Sequence, residues 1–164
     1  AKVVVERDDE VDRLYFLLVR LLRTQVLNPH LSDKMGIPLI DCLDYRLVAT
    51  YVESIGDWAA RLARHTIEFS KTRLPEEILT LLCQVGEASF QIHDTAMKAI
   101  FSKDLNLVSE VLQRNEKVRS FLKAFEISLS GKTPEIFAYS SSIATALENI
   151  ADYGVDLADI VMPR

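Results

Sequence analysis

Four of the five prolines in this sequence fall into short, turn-rich segments, and between those segments the apolar residues recur with helical spacing. "NPHLSDKMGIP" (28–38), "KTRLPEE" (71–77), "SKDLN" (102–106) and "SGKTPE" (130–135) hold most of the prolines and the turn residues. With only five Gly and five Pro in 164 residues, long regular elements are favoured over a turn-rich sheet protein. The spacing predicts helices over about 2–27, 39–70, 75–102, 104–129 and 134–162. Pro75 followed by Glu76 and Glu77 reads as a helix start. Gly131, Thr133 and Pro134 read as a stop, a cap and a new start. "AKVVVE" at the beginning is rich in β-branched residues, but it is short and runs into helical spacing. Long helices with short connections predict an all-α, antiparallel bundle.

The first predicted helix is unusual. Val11, Leu14, Tyr15, Phe16, Leu17, Leu18, Val19, Leu21 and Leu22 leave it few polar faces, and a helix apolar most of the way round needs burial on several sides. Five helices are too few to cover it, so an upstream helix or a partner chain is expected there. Its longest apolar run, "LYFLLV" (14–19), ends at Arg20 and is far too short to span a bilayer. No signal peptide is visible. The net charge of −5 with scattered basic residues argues against a nucleic-acid module, which carries a basic face. Cys42 and Cys83 form no CxxC and sit near no His cluster; they read as two buried thiols in a reducing compartment.

Acidic residues four apart recur on these helices. Glu53 and Asp57 lie in "YVESIGDWAARLA" (51–63), Glu148 and Asp152 in "LENIADYGVDLAD" (147–159), Asp8 and Asp12 in "ERDDEVD" (6–12). Residues i and i+4 share a helix face. One such pair is unremarkable on a solvated surface. In an antiparallel hairpin, however, Asp8 opposes Asp57 and Asp12 opposes Glu53 about a midpoint inside the 28–38 loop. Four carboxylates can therefore meet at one level. Residues 111–119, "VLQRNEKVR", align with 4–12, "VVERDDEVD", so the arrangement is an internal repeat. In the second copy Asn115 and Arg119 stand where the first has Asp8 and Asp12. Arg119 opposes Glu148 and can pair with Asp152 there, while Asp156 and Asp159 prolong the acidic stripe. In the first copy Arg61 and Arg64 take the matching offsets. Clustered carboxylates repel, and raised pKa values, hard cations or solvent exposure can each relieve that. Oxygen-rich donors suit Mg, Ca, Mn or iron, and the first copy is the stronger metal candidate.

These motifs resemble the PhoU family of phosphate uptake regulators. "ESIGD" (53–57) matches the family's E/D-x-x-x-D motif closely, "ENIAD" (148–152) matches with Ala151 for Gly, and "DDEVD" supplies Asp8 and Asp12. The resemblance implies an antiparallel bundle of two three-helix repeats. The first repeat (1–73) would hold its second and third helices, with its first helix upstream of Ala1; the second (74–164) would hold all three. It implies metal at Asp8, Asp12, Glu53, Asp57, Glu148 and Asp152, as an iron cluster or another divalent cation. Asn115 and Arg119 depart from the family pattern at the second cluster, since Arg cannot be a ligand. It further implies a cytoplasmic, non-catalytic regulator, a homodimer, that damps a phosphate ABC transporter and its signalling kinase by contact at the membrane face. Relatives attached to potassium and other ion transporters leave the regulated transporter open.

Other chemistry finds little support. His30, His65 and His93 lack ligand spacing, and "YSSS" (139–142) has no His or Asp partner in sequence. A carboxylate di-metal enzyme usually carries Glu-x-x-His ligands, and Glu87 and His93 are six apart. No Gly-rich phosphate loop is present. Trp58 and Tyr153, each just after an acidic motif, read as packing residues or partner anchors.

Overall fold

A computed structural model describes residues 1–28, 30 and 34–161. Five long helices lie among the described residues: α1 (Lys2–Leu27), α2 (Asp41–Glu68), α3 (Glu76–Ser102), α4 (Leu105–Ser128) and α5 (Pro134–Asp159). Among the described residues there is no strand. The bounds fall within about three residues of those read from the periodicity. Pro29 and residues 31–33 of the first connection lie outside the described residues, as does the 162 end of the last predicted helix. Within that connection His30, Lys34 and Met35 have helical backbone, which its breaker-rich sequence does not announce.

Local chemistry sets the ends. The Asp104 carboxylate accepts from the Asn106 amide at 2.9 Å and caps α4. Thr133 does the same for α5 through the Ile136 amide, with Pro134 in the first turn where its missing N–H costs nothing. Glu76 and Glu77 place negative charge at the amino end of α3. Lys103 closes α3 in the left-handed region at φ 55°, with its amide donating to Ala99 O. The Gln25 amide nitrogen donates to Ile37 O at 2.7 Å, pinning the α1–α2 connection back onto α1.

The packing order is α1 on α2, α2 on α5, and α5 on both α3 and α4, which also pack on each other. α3, α4 and α5 thus form a closed three-helix unit, and α2 leans on it. The main core joins Val85, Ile92 and Ala96 of α3, Val111 and Val118 of α4, and Leu147 and Ala151 of α5. A second cluster joins Ile78 and Leu82 to Phe125, Leu129 and Ala144. Each fully buried Ile, Leu or Val stabilises the fold by roughly 1.5–3 kcal/mol. The Ser89 hydroxyl donates to Val85 O at 2.8 Å and reaches Leu147 O at 3.1 Å, bridging α3 to α5 without an orphaned polar atom. α5 approaches α3 closely at Gly154, where a Cβ would stand 2.6 Å from Ile92 Cγ2.

α1 is the exception to this closure. Among the described residues it packs on α2 and on no other helix, and Leu14, Phe16, Leu17, Leu18 and Leu21 are exposed, as its apolar surplus predicts for five helices. The chain presents 10279 Å² to solvent, where a compact monomer of this length would present roughly 8,200 Å². One expectation is corrected: Cys42 is buried but Cys83 is exposed. Cys83 lies on the outer face of α3 with the exposed Leu79 and Phe90, a face whose apolar residues mimic a core pattern in sequence. Among the described residues no helix is long and apolar enough to cross a membrane.

Candidate metal centre between the first two helices

Packing of α1 on α2 carries their acidic stripes to one level. Gly56, inside the "ESIGD" stretch, permits the approach: a Cβ there would stand 3.2 Å from Val11 Cγ1. Val11 immediately precedes Asp12, so the contact seats Asp12 against the opposite stripe. Asp12, Glu53 and Asp57 each offer a carboxylate oxygen, and the three oxygens lie within 4.8 Å of one another. Asp12 and Glu53 are half-buried and Asp57 is exposed.

The electrostatics carry the signature of this crowding. Burial raises the Glu53 carboxyl above the ordinary carboxylate range, and the charges of Asp57, Asp12 and, least, Asp8 push the same way. The Ser54 hydroxyl, 3.4 Å from Glu53 Oε2, opposes them.

The remaining expected site residues divide. Asp8 lies near enough to influence Glu53, but its carboxylate is not in the trio; it accepts from Arg64 Nη2 at 2.7 Å. The hairpin alignment placed Asp8 opposite Asp57, while the charge of Arg64, two helical turns further along α2, draws its side chain away. Arg61, expected as a second balancing charge, instead lies over the Trp58 ring at 4.7 Å.

In the second half, Glu148 and Asp152 join no comparable cluster among the described residues. The expected salt bridge is corrected as well: no ion pair joins Arg119 to Glu148 or Asp152 among the described residues. α4 and α5 make less contact with each other than either makes with α3, so these side chains are not pressed together as α1 and α2 press theirs. The acidic stripe of α5 persists along its own face. Burial raises the Asp156 carboxyl, and Asp159 and Asp152 add to the shift. Tyr153 packs against Tyr51 at 5.9 Å, tying the acid-bearing stretches of α5 and α2 together. That contact joins residues about a hundred positions apart, and nothing in the sequence singled out Tyr51.

A family model for the PhoU domain matches residues 1–66 and 82–161. The chain belongs to the PhoU family. The match covers both acid-bearing hairpins, and the all-helical bundle agrees with a PhoU bundle. Comparison with curated proteins and with solved structures gave no match.

The donor set of the trio fits a hard cation: three carboxylates on two facing helices, all oxygen, with one member already raised by its neighbours. A cation there would neutralise the mutual repulsion and fix α1 against α2.

Proposed function

We propose that this PhoU-family chain is a non-catalytic regulator of phosphate uptake and phosphate signalling. It works by contact with a phosphate ABC transporter and its signalling partners at the cytoplasmic membrane face, as a homodimer. In this reading Asp12, Glu53 and Asp57 hold a divalent cation or an iron cluster between α1 and α2. Asp8 is a reserve donor held by Arg64, and Glu148 and Asp152 form a weaker second site. Organised as a two-helix first repeat (1–73) and a three-helix second repeat (74–164), the chain uses the cation to set the seating of α1.

The observation that carries the metal reading is the convergence of the three carboxylate oxygens within 4.8 Å. Membership of a family of generally non-enzymatic phosphate regulators supports the rest. The role of the cation is structural. A bound cation costs the trio its hydration and returns charge neutralisation across the α1–α2 seam, so it favours the closed hairpin over any state in which α1 is displaced.

Elemental analysis of the purified chain, compared with Asp57→Asn, tests the site, and binding to a purified phosphate ABC transporter tests the role. Bound metal at substoichiometric or greater content that falls in the variant, together with transporter binding, is expected. A metal-free protein after reconstitution with Mn²⁺, Mg²⁺ and Fe²⁺ would overturn the metal reading. Failure to bind the transporter in either state would overturn the regulatory one.

A further inference from the structure

Glu53, Gly56 and Asp57 share one face of α2, because residues three and four apart are neighbours there. The two carboxylates thus sit beside a position that has no side chain. Val11 of α1 packs over it: a Cβ on Gly56 would stand 3.2 Å from Val11 Cγ1, with Val11 Cβ at 3.7 Å and Cγ2 at 3.8 Å. Gly56 lies inside α2 without a positive φ, so no backbone requirement accounts for a glycine there. Glycine in a helix interior costs stability, and what the position gains is the close approach of α1. The second half carries the contrast. The internal repeat matches Val11 to Val118 and Gly56 to Ala151. Val118 and Ala151 both belong to the main core, yet α4 and α5 contact each other less than α1 and α2 do. Glu148 and Asp152, on the same face as Ala151, join no trio among the described residues. Asn115 and Arg119 also withdraw ligands there, so the effect of the spacing alone is read in the first half, where the carboxylates are intact.

We propose, resting on the metal reading of Asp12, Glu53 and Asp57, that the Val11–Gly56 contact is a spacer that sets which cation the trio accepts. Without a Cβ at position 56 the seam admits the smaller octahedral ions; a methyl there shifts the preference toward Ca²⁺. Val is β-branched and holds one strongly preferred χ1 rotamer in a helix, so a methyl at position 56 is relieved by a shift of the two backbones, not by rotation of Val11. The shift needed is a few tenths of an ångström. That is also the difference between Mg²⁺–oxygen distances of about 2.0–2.1 Å in a strict octahedron and Ca²⁺–oxygen distances of about 2.3–2.6 Å in a looser shell. Mn²⁺ on oxygen is octahedral like Mg²⁺. Asp12 follows Val11 on α1 and moves with it, while Glu53 and Asp57 stay with α2. The shift therefore opens the trio across the seam. Neither Val11 nor Gly56 offers a ligand atom; both are positioning residues that act through Asp12.

Isothermal titration of the metal-free full chain with Mn²⁺ and, separately, with Ca²⁺ reads the ratio of the two affinities. Gly56→Ala is expected to weaken Mn²⁺ binding about tenfold, the size typical of groups that orient ligands without touching the ion, and Ca²⁺ binding much less. Val11→Ala leaves only its Cβ, 3.7 Å from a Cβ at position 56, which is an ordinary contact. Gly56→Ala combined with Val11→Ala therefore returns the ratio to the parent's value. Val11→Ala alone only removes bulk from the seam and moves the ratio toward Mn²⁺. That variant reads the spacer independently should Gly56→Ala fail to fold, which far-ultraviolet dichroism and metal-free melts check. A ratio unchanged in both single variants overturns the spacer and leaves the metal reading standing. So does an equal loss of both cations in Gly56→Ala, or a double variant that keeps the ratio of Gly56→Ala. A parent chain that binds neither Mn²⁺ nor Ca²⁺ also overturns the spacer, and the metal reading goes with it if Mg²⁺ and Fe²⁺ are refused as well.

Discussion

Asp12 and Glu53 face each other from α1 and α2 with carboxylate oxygens within 4.8 Å, and Asp57 joins them one turn further along α2. Two helices thus meet where their side chains repel. Packing by Val11 over Gly56 holds them there at the cost of that repulsion.

Removing one charge from the trio has opposite effects with and without cation. In the presence of chelator, Asp57→Asn is expected to raise stability by roughly 0.2–0.5 kcal/mol, the size of one like-charge i,i+4 contact, or about 1 °C in Tm. With saturating Mn²⁺ the order reverses, because only the parent chain is stabilised by the ligand. Paired thermal melts check both arms. Equal responses to Mn²⁺ in the two proteins would show that Asp57 holds no ion.

Freeing Asp8 should strengthen the site. Arg64→Ala removes the guanidinium that Asp8 now pairs with at 2.7 Å and returns a fourth carboxylate to the neighbourhood of Glu53. The pair is partly exposed, so its loss lowers stability without cation by at most about 1 kcal/mol. Cation affinity is expected to rise severalfold, as measured by isothermal titration. An unchanged or weaker affinity would place Asp8 outside the site's reach.

Two half-buried groups give pH dependences of opposite sign. Glu53 is raised from its ordinary 4.5, so the folded state holds this proton more tightly than the unfolded chain. Stability from this group is greatest below that value and declines as pH climbs through the raised range. His93 is lowered from its ordinary 6.5 by burial, which Asp94 only partly opposes, and its Nδ1 is buried with no hydrogen-bond partner. Its stability is full above 6.5 and declines as pH falls from there toward the lowered folded value. Metal-free denaturation between pH 4 and 8 should show Glu53→Gln flattening the rise in stability on acidification and His93→Gln flattening the loss. A His93→Gln profile identical to the parent's would mean that the imidazole does not titrate differently on folding.

Gly154 is a packing requirement. A Cβ at this position would stand 2.6 Å from Ile92 Cγ2 and 3.4 Å from the His93 backbone nitrogen. Gly154→Ala is expected to destabilise by about 1–3 kcal/mol through overpacking, despite the better helix propensity of Ala. Gly154→Ala combined with Ile92→Ala, which removes the clashing Cγ2, should lose less than the two single losses summed, and chemical denaturation reads all three.

The helices were legible because breakers and caps are local: Pro75, Asp104, Thr133 and Pro134 act on residues next to them in the chain. The meeting of Asp12 with Glu53 was legible too, since an antiparallel hairpin fixes which residues share a level. What the sequence hides is the choice among partners at that level. Arg64 takes Asp8, while Arg61 turns to the Trp58 ring; both are long side chains with several acceptors in reach. Equally hidden was the failure of Arg119 to pair with Glu148, in keeping with α4 and α5 contacting each other less than either contacts α3. Cys83 shows the same limit from the other side. Its apolar setting promised burial, and only the tertiary arrangement reveals that the outer face of α3 is uncovered.

The contact pattern of α1 has a mechanical corollary. Because, among the described residues, α1 packs on α2 and on no other helix, α2 is its lever arm into the rest of the described fold. Any event on α1 is transmitted to α5 through the α2 seam, where the Tyr51 and Tyr153 rings meet at 5.9 Å. On the proposed metal reading, a disulfide engineered between α2 and α5 would leave cation uptake at the trio intact while cutting the path from α1 to α5.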